Sequence, residues 1–254
     1  MFGTSHRNVP LWLENNVIFR KLFILRKLFF SRNRFSHYAG AAEDVAIARL
    51  FHKNYQGFFV DVGCYHPIKF SNTWLLYKRG WRGINIDIDS IKVEMFNYVR
   101  RHDINIQCAV SGKNGVATFY KQGFFSQISS LEPTVGNTPS RVLEVECRTL
   151  SSILDSTRYK NRGIDLLSID AEGHDLEVLQ SLDFARYAPS LIVVETHDGT
   201  LDVIERSALY KYLRSMEYTM VGWCGESLLM AGKALQQKLT PHGGGGPSRG
   251  GVSA

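Results

Sequence analysis

From residue 58 to residue 231 the sequence alternates short runs rich in aliphatic and aromatic residues with runs of helical periodicity, and this alternation restricts the fold more than any other feature. Phe58-Phe59-Val60-Asp61-Val62 reads as a buried strand, because a strand covered on both faces needs a nearly continuous apolar run. Residues 73–79 read as a helix, with Ser71 or Asn72 as its cap and Gly80 past its end. Residues 83–88 give the next strand, 91–100 a helix and 104–110 a third strand. Residues 116–120 and 143–148 are shorter extended runs. The stretch between them, 121–141, holds Gly, Ser, Asn and Pro and reads as a long loop and candidate lid. A short helix opening at Ile153, strands at 164–170 and 190–196, and helices at 176–182 and 207–216 follow. The pattern closes with a hairpin of 218–223 and 227–231 around Gly225. Strands alternating with helices imply an α/β fold, a mostly parallel sheet with helices on both faces, and the hairpin adds antiparallel strands at one edge.

The 254 residues suit one such domain with extensions. The domain is expected over 37–232, a basic and apolar arm over 1–36, and a disordered tail rich in Gly, Ser and Pro over 233–254. The formal net charge of +6 sits in the arm, where Arg7, Arg20, Lys21, Arg26, Lys27, Arg32 and Arg34 face the single acid Glu14. A basic arm on a neutral body points to an anionic surface as partner rather than to a basic catalytic groove. Two readings of the arm stay open: interfacial binding to anionic lipid, or a helix packed on the domain with solvated charges. Charges interrupt its apolar stretch, so it does not read as a secretory signal peptide, and no run approaches the roughly 18 apolar residues of a membrane span. Cys64, Cys108, Cys147 and Cys224 lie far apart with no CxxC pair. That spacing points to reduced thiols in a cytoplasmic protein rather than a zinc site or disulfide framework.

Three strand ends carry chemistry. Asp61-Val62-Gly63 closes the first strand, and ligands of open parallel sheets bind beyond the carboxyl ends of strands. Gly63 lets a ligand approach the backbone, and Asp61 offers acceptors to a cationic or amino group. Cys64-Tyr65-His66-Pro67 follows, without the glycines that a pyrophosphate needs, so a dinucleotide is disfavoured. Asp87 ends the second strand, 24 residues after Gly63. That spacing suits a carboxylate holding ribose hydroxyls, with Asp89 as competitor. An adenosyl ligand without a pyrophosphate satisfies both features, which points to S-adenosylmethionine (SAM). The third end, Ser168-Ile169-Asp170-Ala171-Glu172-Gly173-His174, gathers two carboxylates and a histidine where substrate should sit, and Glu195-Thr196-His197 ends the neighbouring strand. Asp170, Glu172, His174, Glu195 and His197 are candidate general bases. Asp170, Glu172 and His174 would equally suit a divalent metal, but no metal site is assigned.

These runs resemble the FkbM family of SAM-dependent methyltransferases. The matching segments are Gly57-Phe58-Phe59-Val60-Asp61-Val62-Gly63, Tyr65-His66-Pro67, Ser71-Asn72-Thr73, Gly80-Trp81-Arg82-Gly83-Ile84, Ala109-Val110-Ser111, Leu167-Ser168-Ile169-Asp170-Ala171-Glu172-Gly173 and Val193-Val194-Glu195. The resemblance covers about residues 38–231. It implies a Rossmann-like class I methyltransferase fold with a seven-stranded sheet, SAM as cofactor, and O-methylation of a hydroxyl on a small molecule, a sugar or polysaccharide, or a secondary metabolite. By position it implies cofactor contacts at Asp61, Gly63, Tyr65, Asn72, Asp87, Cys108 and Ala109, and an acidic motif at Asp170 and Glu172 near the reacting centre. Asp87-Ile88 stands where the family often has Glu-Pro, and Asp175 follows His174 where a second Glu is usual. Two rival readings remain at this stage. Nucleic-acid methylation would use the basic arm, but the body has no basic patch interleaved with aromatics and no NPPY-like run. The other rival is a membrane-associated SAM-binding protein without turnover.

Overall fold

The computed structural model describes residues 17–19, 21–22, 37–121, 141–196 and 199–239. The chain divides into two units, Met1–Ser36 and His37–Ala254. In the first, residues 17–19 and 21–22 are helical. The rest of the arm, the body of the expected lid (122–140), His197 and residues 240–254 lie outside the described residues. Among the described residues no helix is long and apolar enough to cross a membrane.

The second unit is built on a seven-stranded sheet. Its strands are β1 (Phe58–Val62), β2 (Arg82–Asp87), β3 (Ile104–Gln107), β7 (Leu166–Ile169), β8 (Leu191–Glu195), β9 (Thr219–Cys224) and β10 (Ser227–Ala231), in the spatial order β3-β2-β1-β7-β8-β10-β9. Pairing is parallel from β3 through β8, and β10 is antiparallel to both β8 and β9. The closing hairpin therefore inserts its second strand beside β8 and leaves its first at the edge. Strand order reverses at β1, with β2 and β3 to one side and β7 and β8 to the other, so the switch-point crevice opens beyond the carboxyl ends of β1 and β7.

Residue parity sorts the strands between two cores. Phe58, Val60, Val62, Ile84, Ile86, Leu167, Ile169, Ile192 and Val194 face one side, against α4 (Leu150–Asp155), α5 (Asp175–Gln180), α7 (Leu201–Arg206) and α8 (Ala208–Ser215). Phe59, Leu166, Leu191 and Val193 face the other, against α1 (Glu43–Leu50), α2 (Trp74–Lys78) and α9 (Lys233–Leu239). Covering both faces is what makes these strands read as unbroken apolar runs. The remaining helices are α3 (Ser90–Val99), whose N-cap Asp89 accepts from Ile91 N at 3.1 Å, and α6 (Phe184–Tyr187).

Three expectations need correction. The strand expected over 104–110 is two. After Gln107 the chain leaves the main sheet, and β4 (Ala109–Val110) pairs instead with β6 (Arg141–Arg148) in a three-stranded sheet completed by β5 (Gly115–Lys121). The tail begins later than residue 233, because α9 continues to Leu239 and buries Leu235 in the second core. Neither Ser71 nor Asn72 is the cap residue of α2. Thr73 is, although Ser71 Oγ still accepts from Trp74 N at 3.1 Å.

Candidate active site

A cavity of about 330 Å³ opens at the switch point, within the size range of small-molecule sites. Its floor is Val62 and Gly63 at the end of β1. One wall is Ile86, Asp87 and Ile88 at the end of β2, with Cys108, Ala109 and Val110 beyond. The other is Asp170, Ala171, Glu172 and His174 after β7, with Glu195 and Glu226. Gly63 is required here. Its φ is +73°, and a Cβ on it would stand 1.7 Å from the Asp170 carbonyl oxygen. Tyr65 (φ 48°), Phe70 (φ 53°) and Glu172 (φ 50°) also line the cavity. Left-handed conformations in non-glycine residues carry strain and concentrate at ligand sites.

Asp87 is buried at the end of β2. One carboxylate oxygen accepts from Tyr65 N (3.1 Å), the other from Asp89 N (2.9 Å), and Lys92 Nζ stands 3.7 Å away. Burial raises its pKa, while Lys92 and the two backbone donors work against the rise. Lys92 Nζ also lies 5.0 Å from the Tyr65 ring centroid, so ammonium, carboxylate and ring form one packed corner. Two donors leave the carboxylate further acceptor capacity for a ligand's hydroxyls.

The second acidic group is the pair Asp170 and Glu195. Burial, then a side-chain hydrogen bond with Asp170 and the charges of Asp170, Glu172 and Asp175, push the Glu195 carboxyl up to about 9. The closeness of the two acids therefore favours one proton shared between their carboxyls at neutral pH. His174 Nδ1 stands 3.4 Å from Glu177 Oε2, and Glu177 in turn accepts from Ser111 Oγ (2.8 Å) and Gly112 N (2.9 Å). Asp175 accepts from Ala171 N at 2.9 Å and so shapes the turn that carries Glu172. Among the described residues no group of three or more His, Cys, Asp or Glu is arranged to hold a metal ion.

Of the residues singled out from sequence, Gly63, Tyr65, Asp87, Cys108, Ala109, Asp170, Glu172, His174 and Glu195 all line this one cavity. Asp61 and Asn72 lie behind it. Asp61 registers with Asn85 on β2 and Ser168 on β7, a buried polar row on the sheet face that carries α2. It accepts from Thr73 Oγ1 at 2.7 Å, and burial raises its carboxyl to about 6 against Thr73, Arg100 and Ser168. Asn72 Nδ2 donates to Ser168 Oγ at 3.2 Å. Lys92, Phe70 and Glu226 line the cavity but were not singled out from sequence. Glu226 sits in the hairpin turn, where Thr196 N donates to its carbonyl at 2.6 Å.

Comparison with known proteins bears on this cavity. The model of the methyltransferase FkbM domain matches residues 61–220, more than half of the chain. The chain belongs to the FkbM methyltransferase family. Its reaction class is accordingly SAM-dependent methyl transfer, and the sequence resemblance is confirmed. A search of curated proteins gave no match. Among solved structures, an O-methyltransferase from Bacillus cereus in complex with SAH aligns with 10% identity and a TM-score of 0.38, over 89% of this chain and 92% of that one.

The cavity suits SAM. The glycine floor admits close approach, Asp87 offers a carboxylate acceptor, and Ile86, Ile88, Ala109 and Val110 form an apolar wall. Five acidic side chains (Asp87, Asp170, Glu172, Glu195 and Glu226) line the cavity against the single cation Lys92, an acidic balance that favours a cationic ligand.

Proposed function

We propose that this FkbM-family methyltransferase methylates a hydroxyl of a neutral, polyhydroxylated acceptor, a sugar or glycan or a secondary-metabolite alcohol, with Asp170 as the general base. The observation that carries the reading is the carboxyl pair Asp170 and Glu195 at the cavity wall beside the Gly63 floor. SAM bound there supplies a methyl on a positively charged sulfur, and S-adenosylhomocysteine (SAH) is the by-product. Asp170 accepts the hydrogen bond of the acceptor hydroxyl, orients its oxygen and takes its proton as the C–O bond forms. Glu195 shares a proton with Asp170 and holds that carboxylate in place. Glu172 and Glu226 offer acceptors to further hydroxyls of a polyol. The same carboxylates repel phosphate-rich acceptors, which weighs against nucleic acid at this cavity.

The test is incubation of wild-type and Asp170→Asn protein with methyl-labelled SAM and a panel of neutral sugars and phenolic or aliphatic alcohols. SAH formation with a methyl ether in the product, lost in Asp170→Asn, supports the reading. Methyl found only on nitrogen or sulfur acceptors overturns it. Four free thiols support a cytoplasmic setting. The basic arm supports peripheral attachment to anionic membrane, and unchanged sedimentation with anionic vesicles after deletion of residues 1–36 would remove that part.

A further inference from the structure

A second cleft lies at the opposite pole of the sheet. Arg82, Arg158 and Arg162 line it together with Tyr159 and Gly57. Arg82 opens β2 and Gly57 immediately precedes β1, so the cleft sits at the amino ends of the strands, roughly 20 Å along β1 from Gly63.

Its floor is aromatic. The buried Tyr159 ring stacks on Phe58 with centroids 4.2 Å apart. The guanidinium carbons of Arg158 and Arg162 stand 5.0 and 5.5 Å from the Tyr159 centroid, and that of Arg162 stands 5.2 Å from the Phe58 centroid. Guanidinium groups resting on rings keep N–H edges available for a planar or tetrahedral oxyanion.

Among the described residues no carboxylate forms an ion pair with any of the three arginines. The nearby acids, Asp165 beside Gly57 and Asp103, whose charge attracts Arg82, stand beyond ion-pair distance. Asp165 accepts from Tyr55 Oη (2.7 Å) and Phe58 N (2.8 Å), and Asp103 accepts from Gly83 N (2.9 Å) and lies 3.8 Å from Arg100. Arg158 donates to the His102 carbonyl and the Tyr159 hydroxyl, both at 3.2 Å, and Arg82 donates to the Trp81 carbonyl at 2.6 Å. The Arg82 guanidinium lies 4.9 Å from the Tyr77 ring centroid, so the two guanidinium groups set against Tyr159, those of Arg158 and Arg162, repel one another most directly, and a bound anion would offset that repulsion while taking up their remaining donors.

We infer that this cleft is an anion site, separate from the methyl-transfer cavity, that receives a phosphate group carried either by a soluble phosphoester or by an anionic lipid head group. It does not depend on which acceptor is methylated.

The experiment uses the full chain, with inorganic pyrophosphate as the soluble probe and phosphatidylcholine vesicles with and without phosphatidylglycerol as the lipid probe. Arg162 is exposed and its side chain makes no hydrogen bond among the described residues, so Arg162→Glu should fold, and unchanged SAH affinity checks that it has. Wild type should bind pyrophosphate saturably, and Arg162→Glu should weaken it roughly tenfold or more. Lys160→Gln, an exposed neighbour outside the cleft, should stay within about twofold. If Arg162→Glu also sediments less with phosphatidylglycerol vesicles than wild type, the phosphate belongs to a lipid; if only pyrophosphate binding falls, it belongs to a soluble ester. The inference is overturned by any of three results. One is no saturable pyrophosphate binding together with equal sedimentation of both proteins. The second is an equal loss in Lys160→Gln, which would mean diffuse attraction. The third is displacement of pyrophosphate by SAH, which would place it in the other cavity.

Discussion

Glu195 and Asp170 stand together on the wall of one cavity, where burial and the neighbouring acids raise the Glu195 carboxyl to about 9. In the proposed reaction the two acids have different tasks, and substitution separates them. Glu195→Gln retains an N–H donor toward Asp170 and should keep kcat within about fivefold of wild type at pH 7. Asp170→Asn removes the proton acceptor and should lower kcat by roughly 10²–10⁴. Equal losses in the two variants would show that both carboxyls share the base role.

The same shift bears on stability. The Glu195 pKa is raised in the folded state from its ordinary 4.5. The folded protein therefore binds more protons than the unfolded chain between about pH 4.5 and 9. Its contribution is fully present below that window and is lost as pH rises through it. Glu195→Gln does not titrate, so its stability relative to wild type should improve by on the order of 1 kcal/mol between pH 5 and pH 8. This is far less than the full shift implies, because the carboxyl is partly open to solvent. Chemical denaturation at the two pH values measures it, and a pH-independent difference would show that Glu195 is ionised throughout.

Gly63→Ala tests the cavity floor. The added methyl would stand 1.7 Å from the Asp170 carbonyl oxygen, on a residue with φ +73°. Both the clash and the backbone strain push β1 away from β7. We expect a loss of about 2–4 kcal/mol in unfolding free energy and at least a roughly tenfold loss of SAH affinity. Wild-type melting and affinity in this variant would contradict the close approach of the two strand ends.

How much of this was legible in the sequence follows from where each residue's neighbours come from. β1, β2, β7 and β8 are covered on both faces and so read as apolar runs, and the glycine and acids at their ends named most of the cavity. Glu226 enters only because β10 inserts beside β8 with Ser227 opposite Glu195, a pairing that no local signal announces. Lys92 is a helix residue locally, and its burial against Asp87 and Tyr65 depends on how α3 docks. The facing of Asp61 was half legible. It shares parity with Phe59, away from Val60 and Val62, but only the register with Asn85 and Ser168 reveals a buried polar row behind the cavity. The break between Gln107 and Ala109 went unread because both halves are extended and apolar, and only the second finds its partner in β6.

Asp87 and Lys92 give a pH-dependent prediction for the cofactor. Burial raises the Asp87 carboxyl and Lys92 opposes that rise. Removing the ammonium in Lys92→Met leaves the rise less opposed, so Asp87 protonates at higher pH and accepts fewer hydrogen bonds from ribose hydroxyls. SAH affinity should fall at higher pH on acidification in Lys92→Met than in wild type. Asp87→Ala should lose affinity by about 10–100-fold with little pH dependence left, as expected for lost charge-assisted hydrogen bonds. Titration calorimetry across an acidification series reads both, and parallel profiles for wild type and Lys92→Met would detach Asp87 from the cofactor.

Arg100 is fully buried and ties together the segment that carries Phe70. Its Nε donates to the Pro67 carbonyl (2.9 Å), and its Nη2 donates to Ser71 Oγ (2.9 Å) and Thr73 Oγ1 (3.3 Å). Thr73 in turn donates to Asp61, so one guanidinium connects the polar row under the sheet to the loop bordering the cofactor wall. Burial lowers its pKa while Asp61 and Asp103 support the charge. Arg100→Met leaves Asp61 and Asp103 without their cation and the loop without its clamp, and should cost about 3–5 kcal/mol of stability. Arg100→Lys keeps a charge but cannot reach Pro67, Ser71 and Thr73 together. It should fold with a smaller loss yet bind SAH more weakly than its stability alone explains. Hydrogen exchange resolves the two effects: residues 65–73 should exchange faster in Arg100→Lys while β7 and β8 stay protected. Uniform exchange across the sheet would show that Arg100 serves the core as a whole rather than this loop.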